Sequence, residues 1–469
     1  MIPFRTQSDS KRIILIGSTT YLLLLILAIV FYKERTIILD MAFHSFLIIK
    51  SKTFAIQYNR FGAIFTQLFP VTAVKLGLSL KSILIIYSSA FIIYQFICYL
   101  IASLYFKNLK IALSMLLFST LLVTHTFYWI QSEFIQGCMF VILFYGYLIK
   151  KRTLENFNPI EFSIYFIMIL IIAFFHPLMA VPFLYMGIFF LLSKENYISS
   201  KLIYTSLWSL VMIIIGKNIL FPPVGYDATR TNSITYFIQL FPDYFSLKIN
   251  KAFLKFCLTD YYFLILFLFG AIGFYIKKRE IKKLCLLLLF FFGFLLLVNV
   301  TTYVWVEQFY LESFYLCLGL FVIIPVVFDI IPTFKKTNLV IAGLALILII
   351  RVIHIGLTHT DYTSRLAWNT QLLKDTEKSK EKKLIFPTRL APMNLLKLSW
   401  GSSYELLLLS SINNPDSSRC IIIEEDPKTF ANSLNKNKHF FGTFETFGYD
   451  ELPKKYFNLQ DTSRYKIVE

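Results

Sequence analysis

The chain has 469 residues, 57% of them hydrophobic, with a mean hydropathy of +0.65 and a formal net charge of +18. That balance excludes an ordinary soluble domain. With 50 Phe and 28 Tyr against 17 Gly and 15 Pro, the interior is greasy and helix-compatible, so the excess of Lys and Arg reads as membrane topology and not as nucleic-acid binding. The Cys residues, at positions 98, 138, 257, 285, 317 and 420, contain no CxxC pair and indicate neither a disulfide framework nor a zinc site.

Taken in chain order, Arg5, Lys11 and Arg12 precede an apolar run as they do in a signal peptide. No small-residue cleavage site follows, so this run is expected to remain as the first span. Roughly 20 apolar residues cross a bilayer. Spans are expected at about 13–32, 82–105, 110–128, 135–149, 161–175, 178–193, 202–221, 261–276, 284–300, 311–331 and 338–357, about eleven in all. Only His176 and Pro177 divide the fifth from the sixth, so 161–193 reads as two spans or as one kinked helix, although the combined run is too long for a single ordinary crossing. With the N-terminus in the cytoplasm, Lys107, Lys110, Lys150, Lys151, Arg152, Lys194, Lys201, Lys277, Lys278, Arg279, Lys335 and Lys336 all fall in inner loops. The short outer loops 127–134 and 301–310 contain no Lys or Arg, as the positive-inside bias requires.

Three segments are more than connectors. Residues 33–81 read as amphipathic helices on the outer membrane surface. Residues 222–260 form a second outer loop. Residues 358–469 are polar, with "KKLIFP" and "RCIIIEED" as short strands and "PMNLLKL" and "SSYELLLLSS" as helices, which describes a small α/β unit. The expected fold class is an all-α polytopic membrane protein, residues 1–357, followed by an extracytoplasmic soluble domain, 358–469. Its expected location is the plasma (bacterial inner) membrane.

Acidic groups beside hydrocarbon are costly to desolvate, so their placement is informative. This topology puts Asp40, Glu133, Asp227, Asp243, Asp260, Glu307 and Glu312 near the outer face. Asp243 and Asp260 read as solvated loop acids. Asp40 follows the first span, with His44 one helical turn on. His125 and His176 approach the same face, His125 as an interfacial packing residue and His176 at a broken helix end. Trp129 and Trp305 sit beside two of the acids, where interfacial aromatics belong. Arg60 and Arg230 are suited to a phosphate, or to phospholipid head groups. Lys217, Asp329 and Arg351 stand near or within span edges. The whole suggests an outward cavity that takes a lipid head group from the membrane and a polar substrate from outside.

A first span, then "LDMAFHS" (39–45) opening a long outer loop, "WIQSEF" (129–134) in the second outer turn and "FFHP" (174–177) in the third, resembles the GT-C fold glycosyltransferases. The resemblance is architectural and covers the whole chain. It implies transfer of a sugar from a polyprenyl-phosphate-linked donor to an extracytoplasmic acceptor, be it lipid, glycan or protein, by an inverting displacement. Many members carry Asp-Glu followed by Tyr in the first loop. Here Met41 and Ala42 follow Asp40, so the partner acid is sought in Glu133. The implied roles are Asp40 as general base, with Glu133 and His44 beside it. His176, Arg230, Arg60, Glu307 and Trp305 would bind substrate, and a divalent cation, Mg or Mn, would lie between Asp40 and Glu133. "LLLLFFFGFLLLV" (286–298) is a candidate wall for the polyprenyl tail, or ordinary lipid-facing surface. The alternatives are an O-antigen-type polysaccharide polymerase or ligase, and a lipid-linked glycan transporter or flippase.

Overall fold

The computed structural model describes residues 7–130, 132–378, 382–426 and 437–468. Arg5 and Gln131, which belong to stretches singled out above, lie outside the described residues. Helices follow the apolar runs. α1 (Gln7–Val30) takes the first; α2 (Tyr32–Thr36), α3 (Leu39–Ser51) and α4 (Ile64–Lys75) occupy most of 33–81. α5 (Leu80–Leu100) continues through a π-helical turn at Ile101–Tyr105 and is followed by α6 (Leu109–Phe118), α7 (Glu133–Lys151), α8 (Pro159–Ala173), α9 (Ala180–Leu191) and α10 (Ser200–Leu220). α11 (Gly225–Asn232), α12 (Tyr236–Gln239) and α13 (Lys248–Thr259) build the 222–260 segment. α14 (Tyr262–Lys278), α15 (Ile281–Thr301), α16 (Gln308–Pro325) and α17 (Thr337–Leu357) come next, and α17 runs on into α18 (His359–Lys378). The starts are written locally: Ser79, Asn108, Asn158 and Ser199 each accept a backbone N–H of the turn they open.

Among the described residues seven helices are long and apolar enough to cross a membrane, or eight if the bent pair α13–α14 is one span. α6, α8 and α9 are apolar but shorter, so the expected eleven crossings are not all met by length. The largest departure is the expected span 110–128. Its helix stops at Phe118, and the chain to Ser132 is irregular apart from a 3-10 turn at His125–Phe127. The irregular part, STLLVTHTFY (119–128), is less apolar than the helix, but its Leu, Val and Phe let a hydropathy window join the two.

Buried charged groups hold the irregular stretch instead. Glu312 is fully buried and its Oε1 accepts the N–H groups of Thr124 (2.6 Å) and Thr126 (2.9 Å). Its carboxylate also accepts the hydroxyls of Thr124, Thr126 and Tyr261. Arg351, also fully buried, donates to the carbonyls of Thr120 (3.0 Å), Val123 (2.8 Å) and Asp260 (2.8 Å). Arg35 reaches the carbonyls of Phe127 and Ser88. Non-helical backbone in apolar surroundings persists only where such partners replace water. Between 161 and 193 there are two helices, divided at His176 and Pro177 as the sequence suggests.

After α18 come β1 (Lys383–Pro387), α19 (Met393–Leu396), α20 (Ser402–Ser411), β2 (Cys420–Glu424), β3 (His439–Phe441), β4 (Thr446–Gly448) and β5 (Lys466–Ile467). β1 is central in a parallel sheet, order β2-β1-β5, with Leu384 beside Ile421 and Lys466. β3 and β4 pair as an antiparallel hairpin. α20 lies between this sheet and α3, and its Tyr404 ring meets Phe43 and Phe46, each at 5.1 Å. The small α/β unit therefore shares its core with the first polar segment.

Both long polar segments and the α/β unit gather at one end of the bundle. Lys50 pairs with Glu451 at 3.2 Å, and Lys455 donates to the Gly77 carbonyl at 2.5 Å. The lysine-rich connections collect at the other end, where Lys110 lies 3.7 Å from Glu195, Lys194 2.5 Å from Glu280 and Lys283 2.8 Å from Asp329.

Candidate functional site

The site forms where three connections meet. Arg60 precedes the 3-10 turn Phe61–Ala63 ahead of α4. One arm of its guanidinium lies 3.6 Å from Glu133, the first residue of α7, and the other 2.5 Å from Asp227 of α11. Asp40, in the first turn of α3, keeps part of its surface accessible in otherwise dense surroundings. Burial, and then the charge of nearby Glu133, pushes its carboxyl up to about 7. Asp40, Glu133, Arg60 and Asp227 are thus brought together from segments far apart in sequence, two neighbouring carboxyls followed by a guanidinium held between Glu133 and Asp227.

His176 caps the turn between α8 and α9. Its Nδ1 accepts the N–H of Leu178 at 3.1 Å, which leaves the ring proton on Nε2 in the neutral form. Burial, then the charges of Arg60 and Lys217, holds the imidazole neutral. The Phe134 ring stands 5.1 Å away. Lys217, near the end of α10, donates to the Ala173 carbonyl at 2.8 Å, where α8 ends. Arg230 donates to the Thr301 carbonyl (3.2 Å) and to the Tyr310 hydroxyl (2.6 Å), and Tyr310 packs on Trp305 at 5.4 Å.

Arg60, His176, Asp227 and Arg230 line one cavity of about 250 Å³, whose other wall is apolar and includes Leu297 and Phe314. Leu297 belongs to the stretch 286–298; Leu289 and Phe292 of the same stretch are exposed. The candidate tail wall is therefore cavity lining at its end and bundle surface earlier. A second cavity, about 450 Å³, is lined by Glu307, Asp361, Lys255 and His125, and touches Leu39.

The residues predicted from sequence divide accordingly. Arg60, His176 and Arg230 converge on the first cavity; Glu133 adjoins it through Arg60, and Asp40 lies near Glu133. Glu307 faces the second cavity. Trp305 supports Tyr310 and lines neither. His44 is buried one turn beyond Asp40 and lines neither. Asp260 is not a solvated loop acid: it is bound by His354 at 2.9 Å and Gln308 at 3.0 Å, because the bend between α13 and α14 turns it into the bundle. Three participants were missed as site residues: Asp227, Lys217 and Tyr310. A signal existed for two of them. Asp227 and Arg230 are three apart and share a helix face, and Lys217 is a lone cation at the end of an apolar run.

Among the described residues no group of three His, Cys, Asp or Glu side chains is arranged to hold a metal ion. Asp40 and Glu133 would be the two carboxylates to hold a magnesium ion, with waters or phosphate oxygens as its other ligands. Compared with known protein families, curated proteins and solved structures, the chain matches none.

Proposed function

We propose that the chain is a membrane glycosyltransferase of the GT-C type. In this reading it crosses the plasma (bacterial inner) membrane about eleven times, counting the short helices α6, α8 and α9. The N-terminus is cytoplasmic and both cavities open outward. One observation carries the reading. An anion-receiving cavity with Arg60, Arg230 and the His176 Nε2–H has an apolar wall on one side and a carboxyl poised near neutrality beside it. A polyprenyl-phosphate-linked sugar matches that combination, with phosphate on the guanidinium groups and chain along Leu297 and Phe314.

The chemistry is a single displacement. Asp40 takes the proton of an acceptor hydroxyl or amide; the acceptor atom bonds to the anomeric carbon; the bond from that carbon to the phosphate oxygen breaks, with its electrons going to the phosphate. Arg60, Arg230 and His176 stabilise the charge that develops there. A carboxyl titrating near pH 7 suits a general base, being ionised in a substantial fraction there and far more basic than an ordinary carboxylate. A divalent cation held by Asp40 and Glu133 would add charge neutralisation at the phosphate.

The test is transfer from polyprenyl-phosphate-sugar donors by purified protein in nanodiscs. Asp40→Asn is expected to lower turnover about 10²–10⁴-fold while donor binding persists. Arg230→Met is expected to weaken donor binding first. Near-native turnover in Asp40→Asn sinks the base assignment. If Arg230→Met alone abolishes the reaction, the polymerase or ligase reading takes its place, which the convergence of two outer-segment arginines on one cavity favours.

A further inference from the structure

The 222–260 segment carries a feature that sugar transfer does not use. α13 turns from α14 by 92° at Asp260. α14 is apolar up to Lys277 and Lys278 in its last turn and packs on α16, so it runs with the bundle. α13 must then lie across the bundle axis. Its inward face is apolar: Ile249, Phe253, Phe256 and Cys257 are buried. Its exposed face is Lys248, Lys251, Leu254, Lys255 and Leu258, and the helix contains no acid. Leu258 is 83% exposed.

The chain entering α13 is exposed in a different way. Ile238 is 82%, Phe241 71% and Phe245 91% exposed, among the most open large apolar side chains of the described residues. Ile219 and Leu220, at the end of α10, a helix long enough to span, are exposed in the same way. Water is the wrong solvent for such a surface, and a monomeric soluble protein would not present it. Lysines interleaved with leucines on one face place their stems on hydrocarbon and their ammonium groups on phosphate.

We infer that residues 234–258 lie in the plane of the lipid head groups, with Ile238, Phe241 and Phe245 in the acyl region and Lys248, Lys251 and Lys255 on anionic lipid phosphates. The partner is the bilayer itself, rich in anionic lipid. Ile234, which opens this segment, and Ser233 just before it also line the cavity that holds Arg230. The segment therefore brings lipid phosphates to the rim of that cavity, whatever reaction occurs inside.

The test is the depth of tryptophans placed on the exposed face of the full-length protein. Phe245→Trp and Leu258→Trp are reconstituted in vesicles of phosphatidylcholine and phosphatidylglycerol, some brominated high and some low on the acyl chain. Signal beyond wild type is expected to be quenched at both positions, more by the shallow label. Leu390→Trp, on the α/β unit, is expected to be quenched by aqueous iodide instead. Quenching of Phe245→Trp and Leu258→Trp by iodide alone overturns the inference. Equal or stronger quenching by the deep label also overturns it, since α13 would then be part of a broken span. In equimolar phosphatidylglycerol and phosphatidylcholine, the lipid retained by the wild type is expected to be enriched in phosphatidylglycerol. The Lys248→Gln/Lys251→Gln/Lys255→Gln protein is expected to lose that enrichment, and an unchanged ratio overturns the anionic preference.

Discussion

Asp40 is held as an acid near neutrality by burial and by the charge of Glu133, and that has a sign. A carboxyl whose folded pKa is raised favours the folded state at low pH, and the contribution is lost as pH rises from the ordinary carboxylate range through about 7. Asp40→Asn removes this penalty. It is expected to raise the thermal midpoint in detergent, with a larger gain at pH 8 than at pH 5, and a gain independent of pH would refute the raised titration of Asp40. Wild-type transfer should rise with pH through a midpoint near 7, because the base must be ionised. If magnesium lies between Asp40 and Glu133, adding it should move that midpoint down, and chelation should move it back. Sequence alone marked Asp40 as anomalous but did not show how its charge is countered, since Glu133, Arg60 and Asp227 come from three separate segments.

At the scale of elements, the N-terminus of α3 is what aims Asp40. Leu39 has a positive φ of 47°, rare for a branched side chain. Its N–H donates to Oε1 of Glu405 in α20 at 2.8 Å. A Cβ at Gly401 would lie 2.5 Å from the Leu39 Cα, so the glycine admits the close approach. Arg365 of α18 grips both oxygens of Glu405, at 2.7 and 2.9 Å, and Asn369 adds a third donor. Gly401→Ala is expected to shift α3 and cut transfer severely while circular dichroism stays unchanged. Glu405→Gln leaves the buried Arg365 without its counter-charge and is expected to cost about 3–5 kcal/mol, read as a fall in the denaturation midpoint. Glu312 does for the 119–132 stretch what Glu405 does for α3. No pattern of hydropathy reveals either, because a lone Glu in an apolar run is legible as unusual, whereas the backbone groups it satisfies lie about 190 residues and about 370 residues away in the chain.

The whole molecule is segregated into two ends, one with the lysine-rich connections and the other with the cavities and the α/β unit. An impermeant thiol reagent on oriented vesicles should label a cysteine placed at Asp416 and one at Lys151 from opposite sides. Labelling of both from one side would dismantle the outward cavity. The α17–α18 rod, Thr337–Glu377, passes from the apolar bundle into the α/β unit, and α20 completes the packing around α3. Truncation after Lys378 is therefore expected to free α3 to proteolysis and to abolish transfer, and not merely to remove an appended module.

Composition and hydropathy by themselves determined that this is a membrane protein of many helices. They also placed most of the apolar helices, the break at His176 and Pro177, the segments 33–81 and 222–260, and β1, β2, α19 and α20 of the last hundred residues, but not α18 or β3 to β5. Those are local properties: an apolar run, a proline or a strand of isoleucines acts within a few residues of itself. Tertiary structure alone decided that α6 stops at Phe118, that Asp260 faces inward, and that Asp227 and Lys217 join Arg60, Arg230 and His176. Each of these depends on which distant donor satisfies a buried acceptor, or which distant charge balances a buried one. That pairing is set by packing, and it leaves no periodic trace along the chain.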